Sequence, residues 1–171
     1  MKKLSIIFIV AVFCNFNFCN FNLFAAYNHA ITTDPLDFIN SGRVNVRYEH
    51  LFSKNNSGTA ELYFDTGDDH YSGFLIGVSY RWYLREVFPI KTTALEGFAV
   101  GPFARMAFYT IKHGAKDTDG SLEIGGEVAY KWVFGGFAVE PIIRLGVPVV
   151  RPGYITAGFH AWPGVSIGYA W

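Results

Sequence analysis

From Gly42 to Phe52 the chain alternates, with Val44, Val46, Tyr48, His50 and Phe52 on the even positions and Arg43, Asn45, Arg47 and Glu49 on the odd ones. A β-strand sends successive side chains to opposite faces, so this parity predicts a strand with one apolar and one polar face. The same pattern runs from Tyr71 to Arg85, where Phe74, Ile76, Val78, Tyr80, Trp82 and Leu84 oppose Gly73, Gly77, Ser79, Arg81 and Arg85. It returns from Ser121 to Phe134, with Leu122, Ile124, Val128, Tyr130, Trp132 and Phe134 set against Glu123, Gly125, Glu127, Ala129 and Lys131. Thr59 to Thr66, Phe98 to Thr110, Phe137 to Val149 and Pro163 to Trp171 carry weaker copies, including Glu61 and Asp65, Arg105, and Glu140 and Arg144 on their polar faces. An even, closed, antiparallel ring needs one more strand. The remaining candidate is His29 to Phe38, where alternation is poor and Pro35 must sit at a strand end or edge.

Connections fit an up-and-down order. Phe134-Gly135-Gly136-Phe137 reads as a tight hairpin, because two glycines accept the positive φ angles of such turns. Gly67 to His70, Lys112 to Gly120 and Arg151 to His160 are polar links expected at the opposite end. Glu86 to Glu96 fits less well, being long for a turn on the short-turn side.

The first segment has a different character. Lys2 and Lys3 precede an uninterrupted apolar run from Leu4 to Phe13, the size of a secretory signal core and too short to span a bilayer. Cleavage is expected after Ala25 or Ala26, with Ala30 as a later option, which divides the chain into a signal peptide at 1–26 and one barrel domain at 27–171. Cys14 and Cys19 both precede the cut, so disulfides and thiolate-bound metals are not expected in the mature chain. Phe13 and Phe18 stand before those cysteines, where a lipid-attachment signal requires a small residue.

Periodicity does not say which face is inside, but composition does. Apolar residues make up 51% of the chain, aromatics 18% and charged residues only 16%, which argues against disorder and against a nucleic-acid surface. An eight-stranded ring is just wide enough to be filled by modest side chains, so the many Phe, Tyr and Trp of the apolar set cannot all point inward. The polar set can. Arg43, Arg47, Arg81, Arg85, Arg105, Lys131 and Arg144 face Glu49, Glu61, Asp65, Glu123, Glu127 and Glu140, and the two signs can neutralise one another in a lumen charge network. No charge falls on the apolar face of the seven clear strands. The expected architecture is therefore all-β, an eight-stranded antiparallel up-and-down transmembrane barrel. The alternative is a soluble lipocalin-like carrier, which needs the opposite orientation.

Asp34-Pro35-Leu36, followed by Gly42 to Glu49, resembles the opening of a family of uncharacterised bacterial outer-membrane barrels of the OmpA/OmpX type. The ending Gly168-Tyr169-Ala170-Trp171 is similar to the terminal aromatic signal read by the barrel-assembly machinery, which makes Tyr169 and Trp171 its assembly residues. The resemblance implies location in the bacterial outer membrane, surrounding lipid and that machinery as partners, and a monomer. It implies no single activity and no cofactor.

Catalysis finds little support in the sequence. His29 lies beside the cleavage region, His50 on the apolar set, and His70 and His113 in charged links. His160 is the sharpest candidate, because lipid A deacylase barrels of similar layout carry a His with a Ser two residues on, but position 162 is Trp. No phosphate loop, metal motif or nucleotide fingerprint is present. The expected role is non-enzymatic: a structural or surface-interaction barrel with a plugged polar lumen, whose loops meet solvent, envelope polysaccharide or a host ligand. A lipid A-modifying enzyme and a narrow pore are the alternatives.

Overall fold

The computed structural model describes residues 27–65, 71–87, 95–111, 118–150 and 158–171. Eight antiparallel strands close into one barrel in chain order. They are β1 (His29–Thr33), β2 (Arg43–Ser53), β3 (Asn56–Asp65), β4 (Tyr71–Tyr83), β5 (Gly97–Ile111), β6 (Thr118–Phe134), β7 (Phe137–Val150) and β8 (His160–Ala170). The ring closes through β1 and β8, where Ala30 pairs with Ala170 and Thr33 with Ile167. One short helix, α1 (Pro35–Ser41), joins β1 to β2. The end that holds Tyr27 and Trp171 is called the near end below, and the end that holds α1 the far end.

The first strand is shorter than its sequence suggested. It stops at Thr33, and the expected residues 34–38 turn into α1. Asp34 explains the change: its Oδ1 accepts from Leu36 N at 2.9 Å and Asp37 N at 3.4 Å, capping a helix whose first residue is a proline with φ already fixed. Gly42 ends the helix at φ 67°, and its N–H bonds Phe38 O. Asp34 also ties the helix to the ring, since Oδ2 accepts from Val165 N at 3.0 Å and its own N–H donates to Asn45 Oδ1 at 2.8 Å. Burial pushes its carboxyl up from the ordinary range, against the pull of those amides. Asp34→Ala should cost about 1–2 kcal/mol, read as a lower urea midpoint with an unchanged slope.

Other boundaries move by a few residues. Lys54 and Asn55 form a tight turn, so β3 begins at Asn56 rather than Thr59. The hairpin at Gly135 (φ 59°) and Gly136 (φ 95°) is as the sequence predicts. β4 ends at Tyr83 and not Arg85, so the link to β5 is longer than the sequence reading drew it. β6 starts at Thr118 and β8 at His160, which adds His160 and Trp162 to the last strand. The signal segment, His70, His113 and most of the polar links at the far end lie outside the described residues.

Orientation follows the predicted parity. Phe74, Trp82 and Trp132 face outward, each at least 40% exposed, while Arg81 is 0% and Glu127 2% exposed. The barrel is thus apolar outside and charged inside.

Candidate functional site

The lumen is built in three layers. At the near end Ala30, Tyr83, Leu95, Ala99 and Ala170 form a small apolar cap, with Tyr27, Leu51 and Val133 packed against it. Leu95 belongs to the link after β4. Its N–H bonds Tyr27 O at 2.9 Å, which holds Leu95 at the near end.

Above the cap lies a network of ion pairs. Glu49 is shared by Arg81 Nη1 (2.9 Å), Lys131 Nζ, Ser57 Oγ and Tyr83 OH (2.9 Å). Arg81 sits at the centre, donating from Nε to Glu127 at 2.6 Å and through both Nη atoms to Glu140 at 3.0 and 3.1 Å. Arg47 joins Glu140 (2.8 Å), Glu61 (3.2 Å) and Ser166 Oγ (3.3 Å). On the far side Arg144 bridges Glu61 (2.7 Å) and Glu127 (3.0 Å), and Arg105 Nε reaches Glu61 at 2.8 Å. Most of these charges are more than nine-tenths buried, which is tolerable because each meets opposite charge and charge-assisted hydrogen bonds.

Glycine makes one of these reaches possible. Glu61, Gly77 and Arg105 occupy one row across β3, β4 and β5. A Cβ on Gly77 would lie 2.6 Å from Glu61 Oε1 and 2.7 Å from its Cγ, so the missing side chain is the gap through which Arg105 meets Glu61.

The third layer is an open vestibule at the far end. Arg105 lies 5.5 Å from the ring of Tyr63, 5.2 Å from Phe103 and 5.8 Å from Trp162. Tyr63 OH accepts from Arg144 Nη1 at 3.1 Å. Arg43 and Asp65 pair at 3.4 Å on the rim, with Arg43 about half exposed. Glu123 lines the vestibule but forms no ion pair among the described residues, and its buried Oε1 accepts no hydrogen bond.

The structure therefore brings nine of the sequence-assigned lumen residues into one network: Arg47, Glu49, Glu61, Arg81, Arg105, Glu127, Lys131, Glu140 and Arg144. Arg43, Asp65 and Glu123 stand at the vestibule. Arg85 lies in the turn after β4, with its guanidinium 5.3 Å from the Tyr83 ring. Tyr169 and Trp171 face outward, their rings stacked 6.4 Å apart. The sequence reading missed Trp162, Phe103, Tyr63 and Tyr83 as lumen groups. The two tyrosines share parity with Glu61 and Arg81, a signal that could have found them.

A His–Ser pair is not assembled at the end of the chain. Ser166 bonds Arg47 and stands six positions beyond His160, about 20 Å along an extended strand. Among the described residues no group of three or more His, Cys, Asp or Glu side chains could hold a metal ion.

Against known proteins, no family model, curated protein or solved structure matches the chain.

Proposed function

We propose that the chain is a bacterial outer-membrane barrel, delivered by a cleaved signal peptide, whose plugged lumen serves a structural or surface-binding role rather than transport. The observation that carries this reading is the outer surface. Among the described side chains of the eight strands no Asp, Glu, Lys or Arg points outward, and aromatic side chains collect at the two ends of the apolar band. At the near end Tyr80 and Trp82 lie 5.0 Å apart, Tyr130 and Trp132 4.6 Å apart, and His29 stacks between His50 and Trp171. At the far end Phe64, Phe74 and Phe108 form one row, the last two stacked at 4.8 Å. From Phe74 to Trp82 the strand rises roughly 26 Å, or about 20 Å along the axis at a tilt near 40°. That is close to the apolar band of a transmembrane barrel flanked by aromatic girdles. A lipocalin-like carrier would hold its apolar side chains inside.

Such barrels place their short turns on the periplasmic side, which puts the near end there and the vestibule outside. The resemblance to OmpA/OmpX-type barrels supports the same assignment. The apolar cap and the ion-pair layer lie in series along the lumen, which disfavours an open pore. Heat-modifiable migration on a denaturing gel, together with outer-membrane fractionation, tests the location; recovery in the soluble fraction would overturn it. Planar-bilayer recording should show no stable conductance, and open steps of uniform size would restore the pore.

A further inference from the structure

Beyond Thr33 the wall of the barrel loses a strand. β1 pairs with β2 as far as Arg47 and with β8 as far as Ile167, but β2 runs on to Arg43 and β8 begins at His160, so no rung of β1 reaches their far ends. Helix α1 stands in that place. Asp34 ties its start to Asn45 of β2 and Val165 of β8, and Asn45 Nδ2 donates to Asp37 Oδ2 at 3.2 Å. We propose that α1 is an interfacial membrane helix, with Leu36, Phe38 and Ile39 lying among the lipids of the far leaflet.

α1 has two faces. Asp34 and Asp37 line the far-end cavity, on the lumen side. At about 100° per residue, Leu36 and Ile39 turn away from both. Leu36 is 43%, Phe38 37% and Ile39 74% exposed. Exposed apolar residues are ordinary on any protein, so what covers these is decided by their height on the wall.

That height is the edge of the apolar band. Asn45, which holds the start of α1, is next to Val44, and Val44 pairs with Phe64 in the row of Phe64, Phe74 and Phe108. Phe38 therefore continues the far aromatic row across the position where β1 supplies no residue. Leu36 and Ile39 likewise continue the outer apolar surface between Val44 and Val46 on β2 and Pro163 and Val165 on β8.

Backbone chemistry fits the same occupant. Lipid offers no partner to an unpaired N–H or C=O, so an open strand edge does not survive there, whereas a helix satisfies its own backbone. Along the edge of β8, Val165 N–H is taken by Asp34, and Pro163, two residues back on that edge, has no N–H to leave unpaired. These two features also leave little for a strand of another chain to pair with. Pro35 to Ser41 include no Lys or Arg, so insertion is apolar and does not depend on lipid charge.

The assignment of α1 rests on the bilayer reading, and the experiment separates the two. Cys14 and Cys19 are replaced by Ser, and Leu36→Cys, Ile39→Cys or Val44→Cys carries an environment-sensitive fluorophore in the barrel refolded into phosphatidylcholine vesicles. Lipid brominated near the headgroup quenches a label in the interface, and iodide quenches one in water. Val44, on the wall itself, reports on the bilayer reading. The labels on α1 should lose most of their emission to brominated lipid, as the label at Val44 does, and little to iodide. Added phosphatidylglycerol should leave this unchanged. If Val44 responds to lipid while both α1 labels respond to iodide, or to neither quencher, the helix faces water or protein and the proposal is overturned with the bilayer reading intact. A response of α1 to lipid that needs phosphatidylglycerol overturns it as well. If Val44 itself responds only to iodide, the bilayer reading fails and the assignment of α1 with it. Heat-modifiable migration confirms that each labelled barrel is folded, and either α1 position decides if the other variant does not fold.

Discussion

Val78→Arg should destabilise the folded barrel in lipid vesicles by about 2–4 kcal/mol, the cost of Arg at a bilayer midplane. Val78 faces outward at 59% exposure, midway along β4 between Phe74 and Trp82, with only Ala60 and Ala104 beside it across the ladders. Nothing there can pair with a guanidinium. The depth dependence makes the result specific. Tyr80→Arg, nearer the aromatic rim, should cost clearly less, because the penalty falls towards about 0–1 kcal/mol at the interface. Urea unfolding of both variants in vesicles gives the comparison. In a water-soluble barrel an added surface charge at either position would be close to neutral, and equal near-zero values would end the bilayer reading.

Arg81→Met is the corresponding change inside the wall. Arg81 is fully buried and bridges Glu127, Glu49 and Glu140, so its removal leaves several carboxylates short of positive charge in a closed space. Breaking a buried pair in this way costs about 3–5 kcal/mol. The fold should persist with a lower unfolding midpoint, and adding Glu140→Gln should recover part of the loss, since the two changes share one network. A loss below about 1 kcal/mol would mean that water or rearrangement replaces the guanidinium easily.

Much of this was legible in the sequence because the period of a strand is two. Parity over β2, β4 and β6 placed Arg47, Arg81, Glu127 and Lys131 on one face, and the bulk of Trp82 and Trp132 decided which face that was. The pairing inside was not legible. Arg47 meets Glu140 and Arg144 meets Glu61 across the lumen, between strands that are not neighbours in the ring, and only closure with a particular stagger fixes those distances. In the sequence Pro35 looks like the flaw of a poor strand. It is the first residue of a capped helix, and the signal lay in Asp34 before it and Gly42 after it. In the sequence Pro163 looks like the start of β8, which leaves His160 and Trp162 outside it, yet Pro163 faces outward within the strand and pairs with Ile143. Leu95 gave no sign at all: a single Leu in a link has no period, and only the folded chain shows it sealing one end.

The seam where β1 meets β8 joins residues near the two extremities of the chain through four rungs. The ring cannot close before β8 has been made, because β1 must wait for it. Contacts so distant along the backbone are slow to form, since the entropy of closing the whole loop is spent before any rung rewards it. Until then both rims of the unfinished sheet display unpaired amides and carbonyls beside a greasy surface, the combination most prone to aggregation. Shortening β1 should therefore slow refolding and lower its yield more than the loss of so few hydrogen bonds would suggest.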